Sequence, residues 1–125
     1  MKMYEIIDFT NLYEKIKDSQ MPLKTAYKFS RLMQRLEKEV EFYQTEFAKI
    51  LQTYAKKNSD GTIVISDDGE AIEVIPGKES ECNLKILELR NLEAEISGFE
   101  FTLEELDGLD LTITEVSCLL SLIKE

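Results

Sequence analysis

Histidine is absent from this chain of 125 residues, cysteine and proline occur twice each, and glycine only five times. Each shortage removes a class of function. Without histidine there is no Ser-His or Cys-His nucleophile pair and no imidazole metal site. Cys82 and Cys118 stand far apart with no C-x-x-C spacing, so they read as small buried apolar residues in a reducing compartment rather than as a disulfide. No segment approaches the roughly 20 apolar residues of a membrane span, and the opening MKMYEIIDFTNLYEKIKDSQ has no signal-peptide core. A cytoplasmic protein without a membrane partner is expected. Basic residues are also few, 15 against 25 acidic ones, and the net charge of -10 argues against direct nucleic-acid binding, leaving any anion to a local patch.

What is present is enough to fold. Hydrophobic residues make up 43% of the chain and charged residues 32%, a balance that suits a soluble globular protein. The length predicts one domain, residues 1–125, with little room for a deep catalytic pocket. Residues 3–9 resemble a short strand, with Thr10 capping a helix through about Lys17. Pro22 then opens a long helix, about 22–57, because Ala26, Phe29, Met33, Leu36, Val40, Tyr43, Phe47, Ile50 and Tyr54 alternate steps of three and four. Such a helix spans on the order of 50 Å, more than the ~28 Å expected of a compact domain of this size. The seam from Phe29 to Ile50 is therefore expected to join copies of the chain in a homo-oligomer.

Beyond KKNSDG, the runs TIVIS and AIEVI flank Asp68-Gly69 and predict a β-hairpin over about 62–76. A second helix, about 80–97, carries Cys82, Ile86, Leu89, Leu92 and Ile96 on one face and is expected to lie antiparallel to the first. In the acidic segment 99–125, FEF could pair as a strand with residues 3–9, and Thr102 with Glu105 and Thr112 with Glu115 form capping boxes for two short helices. No internal repeat is visible. The expected class is α+β and mostly helical: a long heptad-patterned helix, one β-hairpin, a second antiparallel helix and two short C-terminal helices.

Charge is unevenly placed. No basic residue stands between Arg90 and Lys124, while Lys24, Lys28, Arg31 and Arg35 fall on one helical face. Beside a helix start, which already favours negative charge, these four suit a phosphate or carboxylate, with Tyr27 or Phe42 available to stack on a nucleobase. The alternative is a solvated face, or one paired with the acidic C-terminal third. Asp67, Asp68 and Glu70 lack calcium-loop spacing, and Ser30 and Ser66 have no identifiable base partner. No catalytic residue, metal site or cofactor is expected, and the chain reads as a non-enzyme.

Leu23-Lys24 entering a helix with basic first turns, YAKKNSDG at its end, and the finish LEELDGLDLT with LLSLI together resemble a family of short, functionally unassigned phage and prophage proteins of Gram-positive bacteria. The resemblance covers roughly residues 5–123 and carries no residue roles, and the TIVIS/AIEVI hairpin departs from the family pattern. It implies a phage setting, in the cytoplasm of an infected bacterial host. Within it the leading expectation is an oligomeric counter-defence binding protein that sequesters a small anionic signal of cyclic-nucleotide type, or an acidic partner such as a host defence protein, on the basic face. The alternatives are a virion assembly or tail accessory protein acting through the coiled-coil-like helix, and an acidic nucleic-acid mimic that inhibits a host nuclease.

Overall fold

The structure, a computed structural model, describes residues 1–65 and 72–124. It is mostly helical, with one long helix and a two-stranded parallel sheet. Contacts divide it into two compact units, Met1–Glu41 with Leu92–Glu125, and Phe42–Asn91.

In the first unit, α1 runs over Met3–Ile16 and buries Met3, Ile6, Phe9, Leu12 and Ile16. This corrects the strand expected over 3–9. The apolar spacing there is three or four rather than two, so the run satisfies a helix, and Thr10 sits mid-helix with its hydroxyl donating to the Ile7 carbonyl at 2.6 Å. Extended backbone is confined to the residues just before: Lys2 bridges Glu93 antiparallel, and the Met3 N–H donates to the Leu92 carbonyl at 2.9 Å. Nor does the FEF segment pair with residues 3–9. Instead β1, Phe101–Thr102, pairs in parallel with β2, Ile123–Lys124.

The long helix α2 spans Leu23–Tyr54, and its buried residues are Thr25, Phe29, Leu32 and Leu36. Compared with the seam through Ala26, Phe29, Met33 and Leu36, this arc is turned by roughly 50° about the helix axis, at about 100° per residue. Leu32 is wholly buried, whereas Met33 is only half-buried. Phe29 sits between two other buried rings, its centroid 6.2 Å from Phe9 and 4.7 Å from Phe101. Packed aromatic rings of this kind contribute beyond their area.

Between the two strands of the sheet lie α4, Leu103–Leu106, and α5, Ile113–Ser117, followed by a 3₁₀ turn over Leu120–Leu122. Both capping boxes form. The Glu105 N–H donates to Thr102 Oγ1 at 3.1 Å, and the Glu115 N–H to Thr112 Oγ1 at 3.2 Å. Each box is then clamped by a lysine from a different long helix. Lys28 Nζ donates to Glu105 at 2.7 Å and to the Glu100 carbonyl at 3.0 Å, and Lys15 Nζ to Glu115 at 2.8 Å and to the Asp110 carbonyl at 2.6 Å. The two receivers, EFTLEE over 100–105 and DLTITE over 110–115, are thus one motif used twice, ten residues apart, a repeat the sequence reading passed over.

In the second unit, the expected hairpin over 62–76 is not shown as a pair of strands: its two arms meet at one antiparallel bridge, Ile65 to Ile72, beside two further bridges, Ala55 to Val74 and Lys57 to Ile63, and its Asp68-Gly69 turn lies outside the described residues. Because α2 stops at Tyr54, residues 55–57 are free to pair, and a further reversal falls at Asn58–Gly61, where Gly61 adopts φ 88°. Three stretches meet in a closed cycle of backbone bonds: Lys56 N–H to Glu73 carbonyl at 2.8 Å, Glu73 N–H to Val64 at 3.1 Å, and Val64 N–H to Lys56 at 2.8 Å. The second helix, α3, covers Glu79–Arg90 and not 80–97, and Asn91 ends it by returning its side-chain amide to the Leu87 carbonyl at 2.9 Å. Residues 92–94 beyond it pair with the chain before α1.

The turned core arc predicts that Leu32→Ala costs about 2–5 kcal/mol, the range for a fully buried leucine, while Met33→Ala costs clearly less, both read from urea midpoints. The clamps predict acid sensitivity. The Lys28 hydrogen bond holds the Glu105 carboxyl below its ordinary range, and that of Lys15 does the same for Glu115. A carboxylate depressed in the folded state adds stability above its unfolded pKa, near 4.3 for glutamate, and that stability is lost as pH falls through the depressed folded value. The wild type should therefore lose stability progressively below about pH 4.3, and Glu105→Gln with Glu115→Gln should be less stable at neutral pH but flatter through the acid range.

Candidate binding surface

The first turn of α2 contains no acidic residue, and its four cations do not share one fate. On a helix of about 100° per residue, Lys28 and Arg35 lie roughly 70–90° from the centre of the buried arc, and Lys24 and Arg31 roughly 110–130° from it. The nearer pair reaches the chain's own C-terminal segment. Lys28 makes the clamp already described, with its ammonium 5.8 Å above the Phe101 ring. Arg35 donates to the Glu95 carbonyl at 3.0 Å and to Glu39 at 3.2 Å. Among the described residues the outer pair, Lys24 and Arg31, makes no ion pair.

Beside that outer pair stand apolar side chains that the fold leaves in solvent, Leu23 at 85% exposure and Tyr27 at 63%. Leu23, Tyr27 and Arg31 succeed one another at steps of four, so with Lys24 they form a strip about 12 Å long, mixed in character and facing outward. A hollow of about 390 Å³ adjoins it, lined by Lys24, Thr25, Lys28, Thr102, Glu104 and Glu105. Two carboxylates in that hollow oppose a small anion, and Lys28 neutralises only one of them. Phe42, the sixth expected ligand residue, opens the second unit and is 45% exposed.

The expected oligomer seam is also divided. Phe29 and Leu36 are buried inside the first unit, Met33 is half-buried there, and Val40, Tyr43, Phe47 and Ile50 are half-buried. Tyr43 and Phe47 stack with centroids 5.7 Å apart. The thiols are buried and unpaired, and burial pushes that of Cys118 up to about 12, which makes it a poor nucleophile at neutral pH. Among the described residues, no group of three cysteine or carboxylate side chains could hold a metal ion. Among the described residues, no helix is long and apolar enough to cross a membrane.

The division within the stripe makes a thermal prediction. In protein dilute enough to be monomeric, Lys24→Glu with Arg31→Glu should leave the melting midpoint nearly unchanged, because exposed charges contribute little to folding. Lys28→Glu should lower it by several degrees, since it breaks a clamp and sets a carboxylate against Glu105. Equal losses in the two variants, measured by differential scanning calorimetry, would contradict the assignment. No family model, curated protein or solved structure matches the chain.

Proposed function

We propose that this chain is a non-catalytic binding protein that engages an acidic protein surface through the strip Leu23, Lys24, Tyr27 and Arg31, and that it works as an oligomer. The observation that carries this reading is the split of the basic stripe. Lys28 and Arg35 are occupied within the chain, while Lys24 and Arg31 flank exposed Leu23 and Tyr27. An apolar centre with a charged rim is what a protein interface requires. A nucleotide would call for convergent cations around an enclosed phosphate, and the adjoining hollow instead contains Glu104 and Glu105. In the phage setting that the sequence resemblance implies, such a protein acts stoichiometrically, against a host defence component or within a particle.

A second reading, assembly through the latter half of the long helix, draws on a separate observation. In the second unit Phe42, Ile65, Leu84 and Leu87 are exposed, and among its described residues only Ala55, Cys82 and Leu89 are buried. The helix α3 buries Cys82 and Leu89 on one side and leaves Leu84 and Leu87 exposed on another, an apolar patch that a partner could cover.

A photo-crosslinking amino acid placed at Tyr27 tests the main reading. In bacterial cytosol it should yield one discrete protein adduct, lost on Lys24→Glu with Arg31→Glu, while cyclic nucleotides titrated into the purified protein should give no binding heat. Nucleotide binding abolished by the same double change, with no protein adduct, would return the strip to small-anion capture.

A further inference from the structure

The first unit carries a second unmatched surface whose chemistry is the complement of the basic strip. Between α4 and α5 lies a groove of about 430 Å³, floored by Leu103, Leu109, Leu111 and Val116 and rimmed by Glu104 and Asp107. Leu103 is 63% exposed at its mouth, and Ile113, at the start of α5, is 87% exposed. Among the described residues neither Glu104 nor Asp107 makes an ion pair, in contrast to Glu105 and Glu115, which the lysine clamps occupy. No residue between Arg90 and Lys124 is basic, and the lysines that reach this segment from other helices, Lys15 and Lys28, are paired with Glu115 and Glu105.

The strip offers what this groove lacks. Leu23 and Tyr27 are apolar side chains without a site, and Lys24 and Arg31 are cations without a partner, set on a rigid helix so that all four point one way. The two surfaces are also neighbours: Glu104 lines both the groove and the hollow beside it, and Lys24 lines that same hollow. Adjacent, complementary surfaces on one molecule are satisfied together by a two-fold axis, which lays each onto its counterpart in a second copy and closes the assembly. Resting on the reading of the strip as a binder of acidic surfaces, we infer that this acidic surface is the α4–α5 groove of a second copy of this chain, in a reciprocal dimer. Leu23 and Tyr27 enter the groove, and Lys24 and Arg31 meet Glu104 and Asp107 across the axis.

Charge exchange tests this on the full chain. One variant carries Lys24→Glu and Arg31→Glu, the other Glu104→Lys and Asp107→Lys. Each alone sets like charges across both contacts and should lower the weight-average mass in sedimentation at micromolar concentration, with at least a tenfold weakening of self-association. Mixed one to one, the two variants restore opposite charges at both contacts, and a mixed species of wild-type mass should return. Failure of the mixture to recover, or no loss in either variant, overturns the inference. Should the groove variant fold poorly, the crosslinker at Tyr27 in the otherwise unaltered chain decides independently. An adduct to residues 103–116 of another copy supports the dimer, and an adduct elsewhere or to another protein overturns it. Loss of a foreign adduct in the strip variant with retention in the groove variant would sink the self-docking alone and leave the wider reading of the strip standing.

Discussion

Two lysines hold the acidic end of this protein in place. Lys15 from α1 and Lys28 from α2 each reach a capping glutamate and a carbonyl two residues ahead of the capping threonine. The carboxylate in each clamp already has a local task, since Glu105 and Glu115 also accept the N–H groups of Thr102 and Thr112. A long-range contact therefore depends on a local one, and the local one is reinforced in return. Short helices of four and five residues have little stability of their own, so α4 and α5 owe their persistence to this coupling. The parallel pairing of β1 with β2, and the burial of Phe101 against Phe29, follow from where the clamped segment is held.

Both capping boxes were legible in the sequence because their signal is local: a threonine, a glutamate three residues on, and apolar residues after. The lysines that seize them were not legible, because nothing in a linear pattern connects Lys15 to Glu115. The repeat of EFTLEE in DLTITE was available by inspection, but its only identities are threonine and the last glutamate, and its meaning appears once both are seen to receive an ammonium. The strand expected at residues 3–9 is overturned by a helical spacing that Met3, Ile6 and Phe9 already carry in the sequence.

Helix α2 illustrates a subtler limit. Its existence and span were plain from the alternation of threes and fours, yet its buried arc was read from apolar residues alone. Thr25 is polar and was passed over, although it is 2% exposed, and Leu32 was displaced by Met33, which kept the downstream heptad in phase. A rotation of roughly 50° brought Lys28 and Arg35 to the edge of the core, where Lys28 meets the acidic segment and Arg35 the Glu95 carbonyl, and left Lys24 and Arg31 facing out. The candidate site was thus legible as a stripe, while the division of its labour depended on a phase that periodicity leaves loose.

Using the same receiver twice carries a hazard during folding. Lys15 could grip the first box and Lys28 the second, and the hydrogen bonds of that exchanged arrangement would match the native ones bond for bond. The clamp hydrogen bonds and ion pairs alone do not tell the two pairings apart. The choice rests on the residue after each leading acid, Phe101 in one receiver and Leu111 in the other: the phenyl ring is fully buried beside Phe29 and lies 5.8 Å below the Lys28 ammonium. The packing of one aromatic ring thereby separates the native topology from a near-degenerate competitor on the folding landscape.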